Sequence, residues 1–416
     1  MNNHDCHRYI QRLHQIEITG LYFLILFLPF LKVPKNIGLG IFIIGGIGWR
    51  LSDKSIGFRK PDIYELILGL FFISAAISTA LNWPLAKGIN GLRDSFTVAV
   101  IGLLIYNSTL TKNQIKWIAN LSIIGIIIGL CYGFVTFYKG ETSFFELKNM
   151  TVAEASIITG MTIAIVTGIL SETGSEFSVP QKFALGISGL IMLCCILLMG
   201  NRSGMVGIAC FFGMFFILNI KNIKIYIILL LTIIALMASI MVLSPDGRLK
   251  QSMRHLLSTK ISLSSSEKFT SNDQLRFTYW KLSLLQFKFG KKKIFGIGPR
   301  NYYKIDFENL IKKSKGFKIK TFKGPHAHNM YLTKLCEEGL FGLCVMMMLF
   351  VFVINRLYKY IKNKGKINWI FIACAGSIII PAIAGIFYAP YRREVAWVSI
   401  LFISLFMNMY KNTPDT

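Results

Sequence analysis

Three short motifs in the sequence combine side chains that bind anions or transfer protons. The first is Asn201-Arg202-Ser203-Gly204, and the second surrounds Arg276. The third is Pro325-His326-Ala327-His328-Asn329. A guanidinium can hold phosphate oxygens in a bidentate grip, and a neutral imidazole can take a proton from a hydroxyl near neutral pH. Together these residue types predict chemistry on a phosphate-bearing substrate.

Each motif also has an ordinary structural explanation. Arg202 can be an arginine that reaches from an apolar segment to the membrane interface, and Arg276 can be an exposed charge on a basic loop. His326 and His328 can cap a helix, or can ligate zinc as two histidines one residue apart. The pair Glu337-Glu338 lies about two and a half helical turns further along. The sequence therefore offers no third zinc ligand, and we expect no metal and no cofactor.

The composition requires a lipid solvent for most of the chain. Of its 416 residues, 53% are hydrophobic and only 16% are charged, so too few polar side chains exist to cover a soluble surface. Apolar runs of about 15 to 25 residues, long enough to cross about 30 Å of hydrocarbon, recur along nearly the whole sequence. In such a protein the net charge of +26 favours anionic lipids or lipid phosphates as partners over nucleic acid.

We predict an all-α polytopic membrane protein with about twelve transmembrane helices and one long extracytoplasmic loop that contains short helices. The predicted spans are roughly 17–34, 37–49, 63–82, 95–107, 115–137, 153–171, 182–200, 204–219, 223–244, 328–355, 367–388 and 395–410. Residues 1–244 then hold about nine helices, residues 245–327 form the loop, and residues 328–416 hold about three helices.

The orientation follows from basic residues in short loops. Lysines and arginines crowd the connections 50–60 and 356–366, which are therefore predicted to be cytoplasmic. With twelve spans, both loops and both termini share one side, and residues 245–327 lie on the other. That long loop carries nineteen Lys and Arg against five acidic residues, but loops longer than about 60 residues are largely exempt from the rule. Docking to anionic headgroups would also explain its lysines at 312–323.

A helix is predicted inside this loop. Asp273 can cap its start, which places Arg276 in the first turn, where free backbone N–H groups also favour an anion. Its apolar face would consist of four residues at helical spacing: Phe277, Trp280, Leu284 and Phe287. The helix would lie with this face on the membrane surface or on the bundle. Further along, 296–299 is typical of a glycine turn and precedes Arg300, a weaker candidate for anion binding.

A second helix is predicted to begin at the histidines. The positive end of its dipole would then lie at His328, oppose the imidazolium form and favour the neutral ring. Gly339 and Gly342, three residues apart in the same helix, are predicted to allow close packing against another helix.

The motifs resemble those of the O-antigen ligase family, part of a superfamily of polytopic inner-membrane glycosyltransferases that also includes O-antigen polymerases. His328-Asn329, nine residues, and then Gly339-x-x-Gly342 resemble the family's signature. Asn201-Arg202-Ser203-Gly204 is similar to its short Arg-Ser/Ala stretch between helices, and Leu275-Arg276-x-x-Tyr279-Trp280 resembles its loop-helix arginine motif. The likeness at residue level covers about 202–342, and the N-terminal half carries little of it.

The resemblance implies transfer of a polysaccharide from undecaprenyl diphosphate-linked O-antigen to lipid A-core oligosaccharide, without metal or nucleotide. The reaction would take place at the periplasmic face of a Gram-negative inner membrane. The resemblance further implies that Arg202 and Arg276 bind the donor diphosphate, while His328 deprotonates the acceptor hydroxyl for an inverting attack. Three residues are secondary site candidates: His326, Asn329 and Arg300.

Two other functions compete with a ligase. An O-antigen polymerase would use similar basic residues, but polymerases often show two arginine-rich periplasmic loops, whereas one loop dominates here. A transporter of lipid-linked glycan would also need arginines and many helices. Transporters, however, commonly place charges near the bilayer midplane and show internal repeats, and the candidate residues here are predicted to lie at one face.

Overall fold

The computed structural model of the protein describes residues 3–52, 60–83, 86–139, 150–172, 177–218, 271–313, 326–364, 367–389 and 394–411. Within these ranges it contains thirteen α-helices, one short 3-10 helix and no strand. The all-α prediction is therefore confirmed for the described part of the chain.

The helices are numbered here in chain order. They are α1 (Asn3–Phe27), α2 (Lys32–Ser52), α3 (Ile63–Ala80), α4 (Ala86–Tyr106), α5 (Lys112–Tyr138), α6 (Val152–Ser171), α7 (Val179–Met199), α8 (Arg202–Leu218), α9 (Ser271–Phe289), α10 (Phe307–Lys313), α11 (Met330–Lys364), α12 (Trp369–Ala384) and α13 (Glu394–Lys411). The 3-10 helix is Tyr302–Lys304, between α9 and α10.

Six of the described helices are long and apolar enough to cross a membrane: α3, most of α4, α5, α6, α7 and α11. Two more, α8 and α12, are apolar but shorter, at 17 and 16 residues. The predicted span 223–244 lies outside the described residues. The structure thus agrees with a polytopic membrane protein, while the number of about twelve spans stays a prediction.

Helix α6 forms the centre of the bundle. It begins at a capping box in which Thr151 accepts from the backbone N–H of Glu154, and it is buried along nearly its whole length. It packs against α7, α8, α12 and α13. Small residues allow the neighbouring helices to approach closely: a Cβ on Gly207 of α8 would lie 2.7 Å from the carbonyl oxygen of Ile380 in α12.

One end of the bundle, called the site end here, is defined by contacts between helix termini and the segment that joins α9 to α10. Asn82, just after α3, donates from Nδ2 to the carbonyl oxygen of Gly296 (3.1 Å). The backbone N–H of Met330, at the start of α11, donates to the carbonyl oxygen of Gly385, just after α12 (2.7 Å). The site end therefore holds the ends of α3 and α12 and the start of α11.

The opposite end of the bundle holds a separate set of contacts. Arg50 near the end of α2 donates to Oε1 of Glu17 (2.9 Å) and to the carbonyl oxygen of Leu104 (2.7 Å). Tyr64, at the start of α3, stacks against Phe352 in the second half of α11. The described ends of the two basic loops predicted to be cytoplasmic therefore lie at the end opposite to α9 and α10. The side of the membrane on which each end lies stays a prediction.

The predicted start of α9 was wrong. The helix begins at Ser271, so Asp273 is its third residue and not its cap. Phe277 and Leu284 of the predicted apolar face are 47% and 52% exposed, so they do not pack on the bundle. The buried face consists of Tyr279, Leu282 and Ser283. The reason is tertiary: the Ser283 hydroxyl bonds to the hydroxyl of Tyr302 (2.8 Å), so a polar pair anchors the helix to the following 3-10 turn.

The predicted role of the two glycines in α11 was also wrong. Gly339 has φ 73° and ψ −167°, so the helix is interrupted there. A Cβ at this position would lie 2.2 Å from the carbonyl oxygen of Ile294, and a Cβ on Gly342 would meet the Glu338 side chain. Neither glycine packs against another helix.

The segment 293–298 lies in the interruption at Gly339 and bonds to both sides of it. Four backbone hydrogen bonds make the connection: Leu340 N to Lys293 O (2.9 Å), Phe341 N to Ile294 O (3.0 Å), Ile297 N to Cys336 O (3.1 Å) and Gly298 N to Glu337 O (2.8 Å). Because the segment follows α9 closely, these bonds also fix the position of α9 relative to the start of α11.

Candidate functional site

His328 lies immediately before α11 and has a left-handed backbone, with φ 49°. Its neighbour Asn329 caps the helix, because Oδ1 accepts from the backbone N–H of Leu332 (2.9 Å). The Nδ2 of Asn329 donates to the carbonyl oxygen of Ile386 (2.9 Å). Asn329, a secondary site candidate, therefore holds the histidine segment between the start of α11 and the end of α12.

Aromatic rings surround the imidazole of His328. The ring of His326 lies 4.3 Å away between centroids, and that of Tyr279 in α9 lies 5.6 Å away. The indole Nε1 of Trp280 donates to the carbonyl oxygen of His328 (3.4 Å). The ring of Tyr388, after α12, lies 5.7 Å from that of His326, at nearly a right angle. These contacts fix the position of the half-buried imidazole.

Burial lowers the pKa of His328, and the positive charge of Arg276 lowers it further. The predicted preference for the neutral ring is thus confirmed in direction. The helix that was predicted to favour the neutral ring begins at Met330, so His328 lies just before its positive end.

Arg276 lies in α9, five residues after its first residue Ser271, and is half-buried. It was predicted in the first turn, but the earlier start of α9 moves it into the second. Its guanidinium is close enough to affect the pKa of His328. The structure therefore brings together two of the three main candidates, which come from motifs about fifty residues apart in the sequence.

The motif of Arg202 forms the turn between α7 and α8. Gly200 ends α7 with φ 63°, a conformation that favours glycine. The side-chain oxygen of Asn201 accepts from the backbone N–H of Gly204 (3.0 Å) and from the Ser203 hydroxyl (2.7 Å), so Asn201 caps α8. Arg202 is thereby the first residue of α8, and it is half-buried.

The start of α8 and the histidines meet the same helix, α6. A Cβ on Gly204 would lie 2.3 Å from the hydroxyl of Ser156, so α8 begins in close contact with the first turns of α6. At the cap of α6, the Thr151 hydroxyl bonds to the hydroxyl of Tyr388 (2.8 Å), whose ring contacts His326. The Arg202 motif and the histidines therefore both lie at the site end.

Arg300, the weaker candidate, has a different environment. It has a left-handed backbone with φ 58° and forms an ion pair with Asp94 of α4, in which both side chains are mostly buried. Beside it, Pro299 leaves no space for a side chain on Gly91. The position of Arg300 fits a residue that holds the segment between α9 and α10 on α4.

A buried charge cluster between α3 and α11 was not predicted. Lys334 donates to Oε1 of Glu338 (2.5 Å), and the Ser74 hydroxyl donates to its Oε2 (2.8 Å). The Ser78 hydroxyl donates to the carbonyl oxygen of Glu337. Lys334 and Glu338 have opposite charges and are four residues apart in one helix, so the sequence could have predicted this pair. The cluster lines a small cavity that Asp94, Arg300 and Met330 also line.

The described ranges contain no group of three or more His, Cys, Asp or Glu that could hold a metal ion. The described side chains at the site end include a neutral imidazole, guanidinium groups and tyrosine hydroxyls. Burial raises the pKa of Tyr279, so its hydroxyl stays protonated and can donate a hydrogen bond.

A bundle of apolar helices with an imidazole and arginines at one end defines a polytopic membrane protein that can bind an anion and accept a proton at that end. Residues 187–347 match the family model described as O-Antigen ligase. The matched range contains Arg202, Arg276 and His328, so the match supports the resemblance to this family that the motifs indicated. No curated protein matches the sequence. The family implies a glycosyltransferase-like enzyme of the O-antigen ligase and polymerase superfamily.

Proposed function

We propose that the protein is an O-antigen ligase. It transfers polysaccharide from undecaprenyl diphosphate to lipid A-core oligosaccharide at the periplasmic face of a Gram-negative inner membrane. The family match supports the enzyme class. The arginines that the site end carries on two separate helices, Arg202 on α8 and Arg276 on α9, support an anionic lipid-linked donor.

The observation that carries the proposal is the pairing of His328 with Arg276. Burial and the nearby guanidinium lower the pKa of His328, so the imidazole is neutral at pH 7 and can accept a proton. The same guanidinium can stabilise the charge that develops on a departing diphosphate. The positive charge of Arg276 thus keeps the base neutral and can also stabilise the leaving group.

In the proposed step the acceptor hydroxyl oxygen attacks the anomeric carbon of the donor sugar. The hydroxyl proton moves to His328, the bond between that carbon and the diphosphate oxygen breaks, and the electron pair leaves with the diphosphate. Attack from the side opposite to the leaving group inverts the anomeric configuration. The bond to the diphosphate already stores the energy for transfer, so the proposed step uses no nucleotide. In this proposal the arginines, and not a metal, stabilise the charge of the leaving diphosphate.

Arg202 is proposed as the second diphosphate ligand. It begins α8, where the first backbone N–H groups and the helix dipole also favour an anion. His326, in ring contact with both His328 and Tyr388, is proposed to position the base.

A chromosomal deletion tests the proposal against a polymerase. If the protein is a ligase, the deletion strain accumulates unattached lipid-linked polymer, and its core carries no O-antigen. If the strain instead caps its core with a single repeat, the protein is a polymerase and the proposal is wrong. Complementation with the wild-type gene must restore long attached chains in either case.

A further inference from the structure

A second, larger cavity opens at the site end, outside the group formed by Arg202, Arg276 and His328. Its volume is about 430 Å³, within the usual range for a ligand pocket. The turn between α1 and α2, helix α4 and the start of α13 form its walls. Its charged and polar lining consists of Lys32, Lys35, Asn36, Arg93, Asp94, Thr97, Glu394 and Trp397.

Two pairs neutralise most of the buried charge in this lining. Lys35 forms a buried ion pair with Glu394. Asp94 pairs with Arg300 from the segment between α9 and α10. Each pair ties together two elements that are distant in sequence, so the pairs hold the walls of the cavity in place.

The remaining cations of the lining are exposed. Lys32 begins α2 and Arg93 lies on α4, so the two side chains come from different walls of the same cavity. After the two ion pairs are counted, these cations give the described lining a net positive charge. An ammonium on one wall and a guanidinium on another suit an anionic group bound between them.

The aromatic wall supplies a further indication of a ligand. Trp397 is only 7% exposed and lines the cavity. Its indole Nε1 has no hydrogen-bond acceptor among the described residues. A buried indole N–H normally has a partner. A sugar hydroxyl in the cavity could accept from it, while the indole ring offers an apolar surface to the sugar.

We propose that this cavity binds an anionic sugar, one that carries phosphate or carboxylate, in the lipid-linked acceptor. The inference rests on the proposed function for the identity of the acceptor. The described lining shares no residue with the proposed donor site. Asp94 also lines the small cavity beside Met330, which is two residues from His328. An acceptor held here by its charge would therefore be close to the base.

The test measures binding and transfer separately, with purified protein in detergent. The probes are phosphorylated lipid A-core, the same glycolipid after dephosphorylation, and the same glycolipid after reduction of its carboxylates. The variants are Lys32→Gln and Arg93→Gln. The control is Lys312→Gln, which removes one exposed positive charge from α10, outside the cavity.

For the native acceptor, Kd and KM are expected to rise about tenfold in each cavity variant, as for the loss of one charge-assisted hydrogen bond. The KM of the lipid-linked donor stays unchanged, and the control behaves as wild type. For the modified acceptor that lacks the recognised anion, Kd and KM are expected to be the same in the cavity variants as in wild type.

Three results would overturn the inference: unchanged acceptor Kd in both variants, an equal change for all three acceptors, or a rise in donor KM alone. The proposed function fails in a different way. Wild-type protein would then bind the glycolipid without transferring polysaccharide to it, and the binding difference between wild type and cavity variants would still decide whether the cavity recognises the anion.

Discussion

Replacing Gly339 with alanine tests how the break in α11 supports the site. The new Cβ would lie 2.2 Å from the carbonyl oxygen of Ile294, and φ 73° with ψ −167° belongs to a region that only glycine adopts readily. Keeping this backbone costs about 1 to 3 kcal/mol before the collision is counted. Releasing the segment 293–298 instead loses four backbone hydrogen bonds, at about 1 kcal/mol each.

Both routes destabilise the folded protein, so we expect Gly339→Ala to lower its stability by about 2 to 4 kcal/mol. The segment begins four residues after the end of α9, so its release also shifts Arg276 relative to His328. A displacement of about 1 Å at a reacting group can reduce a rate about 10²-fold. The transfer rate should therefore fall even at temperatures where the variant stays folded.

The assay compares thermal unfolding in detergent with the transfer rate of equal amounts of folded protein. Gly186→Ala in α7 is the matched control, because a Cβ there meets nothing within 4 Å and alanine favours a helix over glycine. This control should keep both the stability and the rate of wild type. If Gly339→Ala also keeps both, the break in α11 does not position the site and the reasoning is wrong.

Three further predictions concern the site residues themselves. His328→Ala should leave the protein in the membrane but reduce transfer by about 10²- to 10⁴-fold, which is the usual contribution of a general base. The amount of attached polysaccharide measures this effect, and near-normal attachment would refute the assignment. Arg202→Lys should slow transfer although the charge is kept, because an ammonium cannot bind phosphate oxygens in a bidentate manner. Full activity of this variant would show that only the charge matters at this position. The rate of wild type should fall on acidification only below the ordinary pKa of histidine, because the active form is neutral and the pKa of His328 is lowered. In Arg276→Gln the pKa of His328 rises, so the acidic limb of the residual activity should move to higher pH; an unmoved limb would mean that another group titrates.

The sequence allowed prediction of the fold class and of the residues that meet at the site end. Long apolar runs specify helices in a membrane, and the spacing between His328 and Gly342 was enough to indicate the family. The convergence of Arg276 with His328 depended on α9, whose position relative to α11 could only be inferred from the resemblance.

Two features could not be predicted because local periodicity fits more than one arrangement. Two faces of α9 are apolar enough to be buried, and the hydroxyl of Tyr302 selects the face that contains Ser283. Glycines three residues apart in an apolar helix usually indicate helix packing, but at Gly339 the partner is an irregular segment that no period reveals. Tertiary hydrogen bonds decided both cases.

In the proposed mechanism, the site end transfers a glycan from a lipid diphosphate with His328 as base. The most direct measurement gives purified protein in detergent an undecaprenyl diphosphate-linked polysaccharide and lipid A-core, with a chelator present. We expect polysaccharide attached to lipid A-core with wild type and almost none with His328→Ala. Attachment at equal rates by both proteins, or none by either, would contradict this mechanism.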